Sequence, residues 1–224
     1  MSRFVIFFLG ISTCLQSATV DFLKDRVGAL VSSMEGFCSK EKAENFIDLV
    51  IDVEPELCVE IGVYAGASLF PVAAALKYLG KGTVIGIDAW DVDQAIKGLH
   101  PVRDKIDYTW WKGVDFDHLI DTYNTIIHRY GLRDYVLTIR APSKTAAMCC
   151  AEIDILHIDG NLGEAGTLSD IAVYLPRVRP GGYIWIGDAL KHRRQKPIEE
   201  LEAVAELVKS IDHGATLLFR KKEG

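Results

Sequence analysis

No excess of positive charge runs through this chain: 25 Lys and Arg stand against 31 Asp and Glu, a formal net charge of −6. A phosphate backbone calls for a basic face, so nucleic acid is a poor fit as partner. Among its 5 cysteines no Cys-x-x-Cys pair occurs, and adjacent Cys149 and Cys150 cannot easily bridge each other. Neither a zinc knuckle nor a disulfide framework follows. Cys58, inside an apolar segment, reads as a packed thiol. There is no Gly-x-x-x-x-Gly-Lys-Ser/Thr, which excludes a P-loop. Internal repeats and low-complexity linkers are missing too. The apolar run from Phe4 to Leu15 is short of the roughly 20 residues that a secure membrane span needs.

That run has another use. Arg3 precedes it and Gln16-Ser17-Ala18 follows it, the layout of a signal or anchor segment over residues 1–18. Ile11-Ser12-Thr13-Cys14 faintly resembles a lipoprotein box. Export or membrane anchoring is the expectation, with a cytoplasmic location as the alternative, and membrane contact only through this segment. Residues 19–224, drawn from a chain that is 49% hydrophobic, are enough for one domain with a full core. Self-association stays open.

Apolar residues recur at helical spacing over Asp21–Met34 and Lys40–Val53. Short apolar segments then alternate with helices. Strands are expected at Leu57–Ile61, Thr83–Asp88, Tyr135–Arg140, Ile153–Asp159 and Tyr183–Asp188, and helices at Ser68–Leu79, Asp115–Tyr130, Gly166–Leu175 and Pro197–Val208. Val208 to Arg220 suits a hairpin turned at His213-Gly214. The pattern specifies an α/β fold, a doubly wound, mostly parallel Rossmann-like sheet of about six or seven strands. Ala89 to Val114 exceeds a minimal crossover and carries Trp90, Trp110 and Trp111, so it is either a lid or a loop pinned by its aromatics.

The turn after the first strand holds Glu60, Gly62, Tyr64, Gly66 and Ser68, and the second strand ends in Asp88. Gly62 and Gly66 occupy positions where a side chain would obstruct a close ligand, and Ser68 can cap the following helix. Asp88 stands where an acid receives ribose hydroxyls. A dinucleotide site requires a second glycine so that pyrophosphate can lie against the backbone. Tyr64 fills that position, which disfavours NAD and FAD and favours a nucleoside without phosphates. S-adenosylmethionine is the common one.

With these blocks in order, and with Asp154-Ile155-Leu156-His157-Ile158-Asp159-Gly160-Asn161 and Pro180-Gly181-Gly182-Tyr183-Ile184-Trp185-Ile186-Gly187-Asp188 further on, the chain resembles the class I S-adenosylmethionine-dependent methyltransferases. It looks most like the branch with macrocin and other sugar O-methyltransferases, distantly catechol O-methyltransferase. The resemblance covers about Phe46 to Arg220. It implies that Glu60, Gly62, Tyr64, Gly66 and Ser68 face the cofactor, that Asp88 holds the ribose, and that Ala89, Trp90 and Ser143 flank the nucleoside. The implied reaction is methylation of a small molecule, first of all at a hydroxyl.

Asp159 and Asp188 end neighbouring strands, and paired carboxylates suit a hard divalent cation such as Mg2+. Metal-dependent relatives usually place a third donor beside the last aspartate, whereas here Gly187 and Ala189 flank Asp188. Asn161 or Glu164 are the possible substitutes. Without metal, Asp159 or His192 would take the proton directly. His157 reads as a satisfied core histidine, and the run Lys191 to Lys196 as a solvated loop, its sharper alternative being a clamp for an acidic substrate. A non-catalytic binding protein on the same fold is the rival reading; an NAD-dependent oxidoreductase is a weaker third.

Overall fold

A computed structural model describes residues 19–160 and 163–223. The leader-like segment and Asn161 lie outside the described residues. Among the described residues no helix is long and apolar enough to cross a membrane.

Two helices precede the sheet, α1 (residues 19–31) and α2 (Lys40–Val53). The Ser39 hydroxyl caps α2 by accepting the Lys42 N–H at 2.9 Å, and Ala43, Phe46, Ile47 and Val50 form its buried stripe. The same hydroxyl donates to Asp212 at 2.6 Å, while the Asp212 N–H donates to Glu41, so the start of α2 rests on the far end of the chain.

The strands are β1 (Leu57–Ile61), β2 (Thr83–Asp88), β3 (Val136–Arg140), β4 (Ile153–Ile158), β5 (Val178–Ile186), β6 (Ala205–Ile211) and β7 (Thr216–Lys221). They form one sheet in the order β3-β2-β1-β4-β5-β7-β6. The first five are parallel; β7 inserts antiparallel between β5 and β6. Central β1 is apolar along nearly its whole length because both of its faces are covered. Helices α3 (Leu69–Leu79) and α6 (Phe116–Arg129) pack with α2 on one face, around Phe46, Leu69 and Tyr123. On the other face α7 (Ser143–Ala146), α8 (Glu164–Tyr174) and α9 (Gln195–Val204) enclose Ala146, Ile171, Tyr174 and Leu201. The crossover between β2 and β3 carries α4 (Val92–Ala95) and α5 (Lys105–Lys112).

The expected doubly wound sheet is therefore present with seven strands, including the C-terminal hairpin turned at Asp212–Gly214. Two boundaries differ. Strand β5 starts at Val178, five residues before the expected Tyr183, because Val178 already pairs with Ile153 across a register shift. Helix α9 stops at Val204 and the chain turns extended at Ala205, so residues 205–207 pair with β7 and do not prolong the helix.

Candidate active site

The turn after β1 is built on the carboxylate of Asp88. One of its oxygens accepts the backbone N–H groups of Val63 at 2.9 Å and Tyr64 at 3.0 Å, and the other accepts that of Trp90 at 2.8 Å. Burial pushes its pKa up, against the downward pull of these donors. A carboxylate offers roughly four lone-pair positions. With three filled, Asp88 still has capacity for a hydroxyl from the cavity it lines.

The two glycines serve the protein more than a ligand. A Cβ on Gly62 (φ +87°) would lie 2.5 Å from Gly160 Cα and 2.6 Å from the Asp159 carbonyl oxygen, so its bareness lets the turns after β1 and β4 touch. One on Gly66 would meet the Tyr123 ring at 2.8 Å, and Gly66 does not line the cavity. Ser68 does not cap α3; its hydroxyl donates to the buried Glu60. Tyr64 takes the left-handed conformation (φ +53°) that a glycine would suit, and its hydroxyl donates to Glu35 at 3.0 Å. Trp90 is 2% exposed, donates its indole N–H to the Tyr64 carbonyl, and packs 5.5 Å from Tyr123. Its ring sits in the core, and Trp90 does not line the cavity. Ala89 and Ser143 do line the cavity. The Ser143 hydroxyl donates to Asp170 at 2.5 Å, and burial raises Asp170 to about 6.

The cavity has a volume of about 830 Å³ and stays open over the tips of β1 and β2. It continues past Asp159 and Asp188 to a wall made by Phe37, Ile106 and Trp110. Trp110 lies 5.6 Å from Phe37 and 5.9 Å from Tyr64, and Trp111 stacks on Phe116 at 6.1 Å. The insertion thus forms part of the cavity wall.

At the centre of the cavity the acid Asp159 meets a base from an unexpected element. Lys42 of α2 has a side chain only 4% exposed, and its Nζ lies 2.8 Å from Asp159 Oδ2. Behind them His157 sits with Nε2 3.4 Å from Asp159 and Nδ1 3.3 Å from Glu60, its ring edge on Phe46 at 5.0 Å. Burial would push Asp159 up, but Lys42 and then His157 outweigh it and hold the carboxyl at about 2. Burial pulls Lys42 down, and the Asp159 charge more than restores it. Both stay ionised.

Gly187 explains why β5 ends without a third acid. A Cβ there would lie 2.0 Å from Asp159 Oδ1, so the Asp159 carboxylate occupies the place of that side chain. Asp188 follows in a left-handed conformation (φ +55°), lines the cavity, and has Lys191 Nζ at 3.8 Å. Burial, and then the Asp159 charge, pushes its pKa up.

The donor set does not fit the expected Mg2+ site. A hard cation of that size wants about six oxygens in octahedral array. One oxygen of Asp159 is held by an ammonium and the other is packed against Gly187. Glu164 does not line the cavity, and among the described residues no group of three or more His, Cys, Asp or Glu converges on a cation position.

His192 is exposed on the turn His192–Arg194, outside the cavity wall, and so is not placed as a base. Its neighbours are not a solvated loop. Arg193 is buried, 2.6 Å from Asp104 and also paired with Asp107, and Lys191 lies 3.4 Å from Asp107. These pairs bind α5 to the segment after β5. Buried Arg194 donates to the Thr167 hydroxyl.

Lys42, Asp170 and the Arg193 clamp escaped the sequence reading. For Lys42 a signal existed: positions 42, 46 and 50 fall on one helical stripe, and a lysine there breaks an otherwise apolar face.

A central parallel sheet, a glycine turn held by the acid of β2, and a cavity running from that turn to acids at the tips of β4 and β5 define a class I S-adenosylmethionine-dependent methyltransferase. A family model described as a methyltransferase domain matches residues 59–189, more than half of the 224 residues, and the chain belongs to that family. Among solved structures it is similar to the O-methyltransferase NovP at 19% identity and a TM-score of 0.67, over 83% of this chain and 81% of that one. The O-methyltransferase TomG from Streptomyces achromogenes, solved with S-adenosylmethionine, is 13% identical over 90% of each chain, TM-score 0.63. The Podospora anserina methyltransferase PaMTH1, bound to S-adenosylhomocysteine, is 12% identical over 95% and 96%, TM-score 0.61. At these identities the likeness is one of fold. Among proteins of curated function no sequence matches.

Proposed function

We propose that this methyltransferase transfers the methyl group of S-adenosylmethionine to a hydroxyl oxygen of a small molecule. The observation that carries the reading is the single cavity joining Asp88, at the tip of β2, to the Lys42–Asp159 pair and Asp188 at the tips of β4 and β5. The cofactor supplies an electrophilic methyl on a sulfonium sulfur. The spare lone pair of Asp88 accepts from a ribose hydroxyl, and small Ala89 leaves a flat wall beside it. Ser143 and Asp170 line the nucleoside side, and Phe37 and Trp110 bound the acceptor side. The aromatic wall supports an acceptor with an apolar or planar face.

Two neighbouring carboxylates with pKa values pushed apart divide the work. Asp159, pinned by Lys42, keeps its charge. Asp188, raised and facing the cavity, is the better proton acceptor. The acceptor hydroxyl gives its proton to Asp188, the freed oxygen pair bonds to the methyl carbon, and the carbon–sulfur pair stays on sulfur. Positioning and fixed charge account for most of the rate in such a displacement. The apolar run behind Arg3 supports an exported or anchored form of the enzyme.

The test is calorimetry with S-adenosylhomocysteine, followed by methyl-labelled turnover against phenols, catechols and sugars. Asp88→Asn, which discards a charged acceptor, should weaken binding by about tenfold or more. A folded wild-type chain that gives no heat with S-adenosylhomocysteine would end this reading.

A further inference from the structure

We propose that Lys42 is the fixed cation of the acceptor site, supplying from the protein the positive charge that a divalent ion would otherwise bring to the acceptor oxygen. This rests on the methyltransferase reading above. The geometry that points to it is a built one. Helix α2 is capped by Ser39 and buried through Ala43, Phe46 and Ile47, so the stem of Lys42 starts from a rigid base. Its Nζ lies 5.6 Å from the Phe46 ring centre and 2.8 Å from Asp159. An ammonium carries three N–H donors. Among the described residues Asp159 is its one hydrogen-bond partner, and Lys42 lines the cavity, so donors remain for an oxygen arriving there.

Asp159 is wedged for this purpose. One oxygen faces Lys42 and His157, and the other fills the gap left by Gly187. It cannot turn toward a cation without leaving the ammonium. Charge is also balanced locally: Lys42 offsets Asp159 and Lys191 stands beside Asp188. A dication entering between them would meet two resident cations. Lys42 instead donates to the acceptor oxygen as its proton leaves for Asp188, and the charge that develops on that oxygen lies against a positive group already in place.

The full chain, freed of metal with EDTA, is titrated with Mn2+ by electron paramagnetic resonance and assayed with methyl-labelled S-adenosylmethionine against the same acceptors. No saturable Mn2+ site below about 1 mM is expected, and EDTA should leave turnover unchanged. Lys42→Met should hold S-adenosylhomocysteine within about threefold of wild type while turnover falls about 100-fold, with partial recovery in Lys42→Arg. A saturable Mn2+ site in the unaltered protein overturns the proposal, as does normal turnover by Lys42→Met. The Mn2+ titration reads the unaltered chain, so it decides even where a variant fails to fold or no acceptor reacts. Failure of the unaltered chain to bind S-adenosylhomocysteine would instead strike the adenosyl site itself, which separates the two claims.

Discussion

Asp170 shows how burial tunes a single acid in the cavity wall. Its carboxyl is raised to about 6 by burial, against an unfolded value near 3.8. An acid raised in the folded state binds more protons there than in the unfolded chain. Its contribution is therefore fully present below about pH 4 and is lost as pH rises through about 6. The loss should be about 2 kcal/mol across that window. Urea unfolding of wild type and Asp170→Asn at pH 4, 5, 6 and 7 checks this: the wild type should lose stability relative to the variant as pH rises. At this scale the sequence was partly readable. Asp88, Asp159 and Asp188 could be singled out because acids that end strands lie at one edge of the sheet, and all three line the cavity there. The partners of Glu60, Ser68 and Gly66 were not, since a serine that caps and a serine that bonds a buried glutamate look alike in sequence. Trp90 has a left-handed backbone (φ +43°) and a ring packed in the core beside Tyr123, and sequence spacing carries no sign of either.

Helices and strands were easier to read than their ends. The strands β1 and β2 fall at their expected residues because Gly62 and Gly82 punctuate apolar runs. No glycine or proline separates α9 from β6, and the boundary at Ala205 is set by pairing with Lys221. The insertion carries a prediction of its own. Helix α5 is fastened by Arg193 to Asp104 and Asp107, so Arg193→Met should free it while leaving the sheet intact. Asp107 keeps Lys191 and Asp104 keeps Arg103, so the loss is confined to the tie between α5 and the segment after β5. Hydrogen exchange over residues 105–112 should quicken, and KM for the acceptor should rise more than KM for the cofactor, because Ile106, Asp107 and Trp110 line the cavity where the acceptor is proposed to bind. Equal exchange in both proteins would show that the clamp is ornamental.

At the scale of the whole molecule, alternation of strand and helix was enough to forecast the parallel sheet, yet the cavity's centre was invisible. Lys42 and Asp159 are 117 positions apart, and periodicity describes neighbours along the chain, not partners across it. The cavity is lined by Lys42 of α2 and Asp170 of α8, from opposite faces of the sheet, so filling it should stabilise both. S-adenosylhomocysteine at a hundred times its Kd adds about 2.7 kcal/mol. For a domain of this size that raises Tm by roughly 5–10 °C. Differential scanning calorimetry with and without ligand reads it directly, and a tenfold weaker Asp88→Asn should cut the shift to about half at equal ligand concentration.

The contact between Ser39 and Asp212 gives the C-terminal hairpin a duty beyond closing the sheet. The helix bearing Lys42 stands on a buttress supplied by residues 173 positions downstream. Loosening that hairpin, whose Asp212 and Thr216 also line the cavity, should tilt the strut and draw the ammonium away from Asp159.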